Sequence, residues 1–386
     1  MTHARLKAFY LFYNAALACL VPFMGLYYQE RGMSGAQIGV LAGMIPLITW
    51  VSAPFWSGVA DATRRHRGVL LLAVGGLGVA VLALYFAASF AALLAGVIAY
   101  AVFVGPIVPL VDNAALHNLG DDKAGYGRIR LWGSIGWGAA AALLAPAINR
   151  GGLAWAFYGF LIFIAVNFIV AAGLPMDLGG SARRAYSAGL GVLARNGRFL
   201  LLLLTALVYG MALGVFLSYQ FLYLEELGAG LLLMSVSLVV ITLSEVPFWF
   251  IGAALLRRFG TSRMIAAALG ISTLRYLALG AMTNPLLVLP ISLLHGPSFA
   301  MMWTAGVADA DTAAPPGLGA TAQGLFAGMM FGLGAALGGF LGGPAYEIIG
   351  FARLFSLLGW LTFAMLLVFV AARLLPRRWK KARAGI

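Results

Sequence analysis

Along its length the chain alternates long stretches almost free of polar side chains with short breaks rich in Gly, Pro, Asp and Arg. The apolar runs lie near 8–28, 36–60, 68–89, 91–119, 128–149, 152–174, 198–224, 230–256, 263–282, 285–308, 320–346 and 350–375. Each is close to the roughly 20 residues that a helix needs to cross a bilayer core. The pattern therefore predicts an all-α integral membrane protein with twelve transmembrane helices. No series of short alternating segments, the mark of a membrane barrel, is present. Composition strengthens the picture, since 62% of the 386 residues are hydrophobic, only 10% are charged, and mean hydropathy is +0.96. The 50 glycines suit helices that approach backbone to backbone in lipid.

A net charge of +13 raises the question of a nucleic-acid partner, and its distribution answers it. With the N-terminus inside, the inner connections and ends hold 19 of the 25 basic residues. These include Arg5, Lys7, Arg64, Arg65, Arg67, Arg183, Arg184, Arg195, Arg198, Arg257, Arg258, Arg263 and the tail "RRWKKAR". The outer connections hold three, namely Arg31, Arg150 and Arg353. This bias is the positive-inside pattern. It predicts cytoplasmic termini, with the tail against anionic lipid rather than nucleic acid, and a bacterial cytoplasmic membrane is the expected location. Cys19 is the only cysteine, which excludes an internal disulfide. The first run carries no convincing cleavage site and is expected to be retained rather than removed as a signal peptide.

The chain also repeats itself. "APFWSGVADATRRHRG" from Ala53 is echoed by "VPFWFIGAALLRRFGTSR" from Val246, with Pro54 and Pro247 separated by 193 residues. Gly105-Pro106 is echoed by Gly296-Pro297, and "GWGAAAALLAP" from Gly136 by "GLGAALGGFLGGP" from Gly332. Three echoes in one order predict two related six-helix bundles, 1–175 and 198–375. A cytoplasmic linker, 176–197, joins them, and a basic tail, 376–386, follows. Two such bundles can rock about a shared mid-membrane site, which is how many secondary transporters work.

Ionisable groups inside the apolar runs are expensive and mark candidate sites. Reflection about a hairpin turn estimates their depth, because both arms rise about 1.5 Å per residue. Asp112 and Arg130 are equidistant from Asp121, Glu245 and Arg275 from Gly260, and Arg275 and His295 from Pro285. One acid–base pair is therefore expected in the first half, and an acid–Arg–His layer in the second. Arg128, nearest its turn, is expected to snorkel to the interface. Trp137, two turns beyond Arg130, either stacks on a bound ring or packs against the bilayer. Asn14, Tyr219, Gln220 and Gln323 are expected to line the cavity. Asp309 and Asp311 at the inner mouth, and Glu225 and Glu226 at the outer surface, are expected to be solvated.

The duplication together with "SGVADATRRHR" resembles the major facilitator superfamily, whose loop between the second and third helices carries a Gly-x-x-x-Asp-Arg-x-Gly-Arg-Arg motif. Asp61, Arg64, Arg65 and Arg67 fall on it here. Ser57 stands at the first glycine, Arg64 replaces the internal one, and the second copy keeps Arg257 and Arg258 with Ala254 where Asp would align. The resemblance implies that these residues gate the inner face through Asp–Arg contacts.

"PLVD…YGRIRLWGSIGW" is similar to the fourth and fifth helices of lactose permease and its proton-coupled sugar relatives. It implies substrate binding by Asp112 and Arg130 with stacking on Trp137, and it aligns Arg275 and His295 with an essential arginine and histidine. The coupling acid of that permease falls on Ser298, and its eighth-helix acid on Thr242, one turn before Glu245. "PLVDNA…YGRIRLWGS", the "SEV" at 244–246 and "TAQGLFAGMMFGLGAALGG" resemble the phenylpropionate permease branch, which transports an aromatic carboxylate with a proton.

These readings imply a proton-coupled symporter for a small aromatic or other organic acid, with a sugar or nucleoside substrate, or drug efflux, as rivals. Glu245, with Asp112, is the expected proton carrier. No cofactor or metal is implied, the proton gradient being the energy source, and a monomer with lipid, proton and solute as partners suffices. An enzyme reading finds no metal spacing among His3, His66, His117 and His295 and no Gly-x-Ser-x-Gly elbow. A channel reading finds no repeated selectivity segment.

Overall fold

The computed structural model describes residues 2–119, 125–176, 193–315 and 318–373, and all regular structure among them is helical. Eleven helices are long and apolar enough to cross a membrane. They are α1 (His3–Glu30), α2 (Gly35–Thr63), α3 (His66–Phe86), α4 (Phe90–Leu119), α5 (Tyr126–Gly151), α6 (Ala154–Ala172), α7 (Gly197–Glu226), α8 (Leu231–Gly280), α9 (Pro285–Ala313), α10 (Thr321–Ile349) and α11 (Phe351–Arg373). At 50 residues α8 would reach about 75 Å if straight, more than twice the hydrocarbon thickness. It breaks at Gly260, whose φ of 74° is a left-handed conformation that glycine adopts without a Cβ clash. Its arms, 231–259 and 261–280, correspond to two of the apolar runs. Counted by arms the passes number twelve, and counted by continuous elements eleven.

Local signals start the helices. Ser34 and Gln37 form a capping box at α2, Ser89 caps the first turn of α4, and Asn196 accepts from the amides of Arg198 and Phe199 at α7. Large apolar side chains such as Phe86, Leu143, Ile169, Phe250 and Ile348 point outward, as a lipid solvent allows. The repeat also survives in the packing: Gly105 lies against Ser52 and Ala53 of α2, and Gly296 against Ser244 and Glu245 of α8. Most of 176–197, apart from 176 and 193–197, and all of the tail 376–386 lie outside the described residues.

The end bearing Arg64–Arg67 and Arg257–Arg258 is termed the basic face, and the other the sparse face. The chain halves meet from mid-membrane to the sparse face. Gly25 of α1 approaches Ser218 of α7, Phe23 and Phe221 rings lie 5.1 Å apart, and Gly138 of α5 approaches Thr242. Helices α2 and α10 touch along Gly39, Gly43, Gly339 and Gly343. Two hydrogen bonds join the halves among the described residues, and both lie at the sparse face. Gln29 Nε2 donates to Glu225 Oε2 at 3.0 Å, and the Gly35 amide donates to Glu347 Oε1 at 2.5 Å. On the basic face Arg65, Arg67, Arg257 and Arg258 are exposed. The halves are therefore tied together at the sparse face, and among the described residues no hydrogen bond ties them at the basic face.

Gly339 is one of the tight points of that seal. A Cβ there would stand 2.6 Å from the Gly43 nitrogen and 2.7 Å from its Cα, backbone atoms with no rotamer to yield. Overpacking of this kind costs about 1–3 kcal/mol, or roughly five- to 150-fold in the population of the sealed state. Gly339→Val is therefore expected to raise labelling of a Leu222→Cys reporter, buried in the parent protein against Gly25 of the other half, by a membrane-impermeant maleimide added at the sparse face, and to slow transport.

Candidate functional site

Each half carries one ionic cluster. In the first, Arg130 of α5 donates through Nη1 to Asp112 Oδ2 of α4 at 3.0 Å and to the Tyr126 hydroxyl at 2.9 Å. Tyr10 of α1 donates to the other oxygen of Asp112, and Asn14, one turn on, donates to the Tyr10 carbonyl at 2.9 Å. Gly133 of α5 packs on the Asn14 amide, which fixes α1 and α5 at this level. Side-chain exposure is 49% for Arg130 and 23% for Asp112, so the cluster lines open space. The guanidinium retains donors for a ligand. Trp137 is partly buried against the core.

In the second half the acid–Arg–His layer has a definite order. Arg275 Nη1 lies 2.7 Å from His295 Nδ1, and His295 Nε2 lies 3.2 Å from Glu245 Oε1. A guanidinium only donates, so Nδ1 must accept, and the imidazole proton sits on Nε2 facing the carboxylate. Phe216 and Phe299 sandwich the imidazole at 5.7 and 5.5 Å, and the Arg275 guanidinium lies 4.0 Å from the Phe216 ring centroid. Glu245 Oε2 accepts from Trp249 Nε1 at 3.4 Å.

Several expected positions are corrected. Arg275 is 1% exposed, shielded behind His295, itself buried, so neither is open to a solute in this state; Glu245, 17% exposed, is the accessible member of the three. Tyr219 does not line the cavity. Its hydroxyl donates to the Gly339 carbonyl at 2.7 Å inside the second half, because α7 turns that face onto α10. Gln220 is likewise buried. Gln323 sits at the basic mouth, donating to Asp311 at 3.0 Å. Asp309 is buried rather than solvated, gripped by Arg373 at 2.5 Å and by the Thr261 hydroxyl at 2.9 Å. Glu225 is exposed, as expected, and also accepts from Gln29 across the sparse face.

The gating loop also differs from the family pattern. Asp61 pairs with His66 at 2.8 Å, not with an arginine, while Arg64 ends α2 in a left-handed conformation with φ 54°. Arg258 lies over Phe259 at 5.4 Å. Among the described residues no clamp from Asp61 to the other half is formed, its carboxylate being taken by His66. Tyr10, Tyr126 and Trp249 are functional candidates that the sequence does not single out. Only the second "PFW" echo points to Trp249, four residues after Glu245 and hence on the same helix face.

Comparison with known proteins agrees with this architecture. A family model described as the MFS_1 like family matches residues 3–357. The maltose permease of Geobacillus stearothermophilus is 32% identical over 389 residues, covering 96% of this chain and 95% of the relative. A protein of Escherichia coli named "Probable 3-phenylpropionic acid transporter" is 24% identical over 306 residues, 75% of this chain and 77% of its own. Among solved structures, a point mutant of the nucleoside transporter NupG superposes with a TM-score of 0.87 at 18% identity, covering 97% of this chain and 100% of that one.

Proposed function

Because the chain belongs to the MFS_1-like family of the major facilitator superfamily, and so is a multi-pass secondary transporter, we propose that it is a proton symporter for a small organic solute. The observation that carries this reading is the Arg275–His295–Glu245 chain of the second half, matched by the partly exposed Asp112–Arg130 pair of the first. Glu245, partly exposed and joined to His295 and the Trp249 indole, is the side chain we assign as the proton carrier. When Glu245 is ionised its charge offsets Arg275 through the imidazole. When it is protonated the second half keeps an uncompensated cation, and the cavity becomes more attractive to an anion or a hydroxyl-rich solute. Arg130 supplies the direct contact.

The solute favoured here is an aromatic or other small carboxylate of the 3-phenylpropionate type, to which the exposed guanidinium offers a two-pronged partner. A sugar or nucleoside is the second reading, supported by the extended similarity to a maltose permease. In either, the protein sits as a monomer in a bacterial cytoplasmic membrane with the basic face inward. It uses the proton gradient and no cofactor, and its basic tail meets anionic lipid. Asp61, Arg64, Arg65, Arg67, Arg257 and Arg258 would meet when the inner side closes.

In proteoliposomes, addition of the transported solute should alkalinise the external medium. Arms with 3-phenylpropionate, maltose and uridine separate the substrate readings. Acidification would instead make the protein an antiporter, and no proton movement with a transported solute would end the symport reading.

A further inference from the structure

The two walls of the cavity differ in chemistry, and the internal repeat brings out the contrast. Asp112 follows the glycine of Gly105-Pro106 by seven residues, and Trp303 follows that of Gly296-Pro297 by seven. Both glycines seat on equivalent stretches of α2 and α8. The fold therefore places Trp303 on the wall of the second half where Asp112 stands on the wall of the first. Asp112 pairs with an arginine from the next helix, whereas Trp303 packs on Phe326 and Phe331 of α10, with ring centroids 5.8 and 5.4 Å away.

The rings continue as one array. Phe331 meets Phe299 edge to face at 6.2 Å, and Phe299 meets Trp249 edge to face at 6.1 Å. Trp249 ends the array with its indole N–H on Glu245. The array thus spans α8, α9 and α10 and starts at the carboxylate. Phe331 is 40% exposed and sits in a π-helical turn, Gly328–Gly334, a distortion that commonly marks functional positions in helices. Trp50 of α2 covers Gly328 and Gly332 of that same turn, so the array runs up to the junction of the halves.

We infer that Trp249, Trp303 and Phe331 form an aromatic subsite that takes the apolar face of a ring in the solute, while the solute's anionic or hydroxylated edge is held by Arg130. The exposed face of Phe331 leaves apolar area for a partner to cover, and aromatic walls bind flat faces in offset or edge-on contact. The ligand class is a cyclic solute with one apolar face and one polar edge. An aryl carboxylate, a nucleoside and a glycoside all present that chemistry, and an open-chain acid or polyol does not. The inference rests on the transporter reading but is independent of proton coupling.

The test is equilibrium binding to purified protein without any gradient, by titration calorimetry. Ring probes are 3-phenylpropionate, uridine and maltose; open-chain controls are hexanoate and sorbitol. At least one ring probe should bind, and the controls should not. Phe331→Ala and Trp303→Ala should each weaken that binding about tenfold, and Phe331→Tyr and Trp303→Phe should restore most of it. Phe331, being partly exposed, can be truncated without emptying the core if Trp303→Ala misfolds. Equal binding by open-chain controls, absence of binding by every ring probe, or unchanged affinity in both alanine variants overturns the inference. Loss of proton coupling alone would leave these binding results in place, so the two failures can be told apart.

Discussion

Glu245→Gln is expected to abolish uphill accumulation while leaving exchange of internal for external solute close to that of the parent protein. Glutamine mimics the neutral acid, its single carbonyl oxygen keeping the bond from His295 Nε2–H while the longer one from the Trp249 indole is given up. Exchange needs only the loaded halves to rock and return, which this neutral form can still do. Net uptake needs the empty carrier to release its proton on the basic side, which the amide cannot do. One pH unit across the membrane supports about a tenfold gradient at one proton per solute, and the variant should show none. Radiolabelled uptake and counterflow in the same proteoliposomes would measure both quantities.

Arg130→Ala should be nearly as damaging, and through binding rather than stability. A half-exposed ion pair adds little to folding, so the melting temperature should move only slightly. Each charge-assisted hydrogen bond to a solute is worth about 1.5–3 kcal/mol, which corresponds to roughly ten- to a hundredfold in affinity. Arg130→Lys keeps the charge but loses the planar fork that reaches Asp112, Tyr126 and a solute together, so it should recover only part of the loss. Paired melting curves and binding titrations of the three proteins separate this expectation from a merely structural role.

Much of the site is legible in the sequence, and the limits are physical. Reflection about hairpin turns sets Asp112 level with Arg130, and Glu245 with Arg275 and His295, because helical rise converts residue number into height. Height says nothing about direction around the helix. By height alone Arg275 is available to a solute, whereas in the fold His295 stands between it and Glu245. Tyr219 departs from expectation for the same reason, since packing of α7 on α10 sets its azimuth. Asp309 lies near the end of an apolar run, where solvent is expected, but Arg373, at the far end of the last helix, closes over it. The aromatic wall has no sequence signature, because Trp and Phe are ordinary in lipid-facing helices. Only their ring-to-ring continuity from Glu245 sets these apart.

Solute and proton must be handled in one chamber between the halves if this transporter works as described. A structure determined with a bound solute, chosen by thermal shift from the three ring probes, tests that directly. The expected density touches the Arg130 guanidinium on one side and lies within reach of Glu245 and Trp303 on the other. Density confined within a single half, or on the lipid-facing surface, with the Arg130–Glu245 space unoccupied, would contradict it.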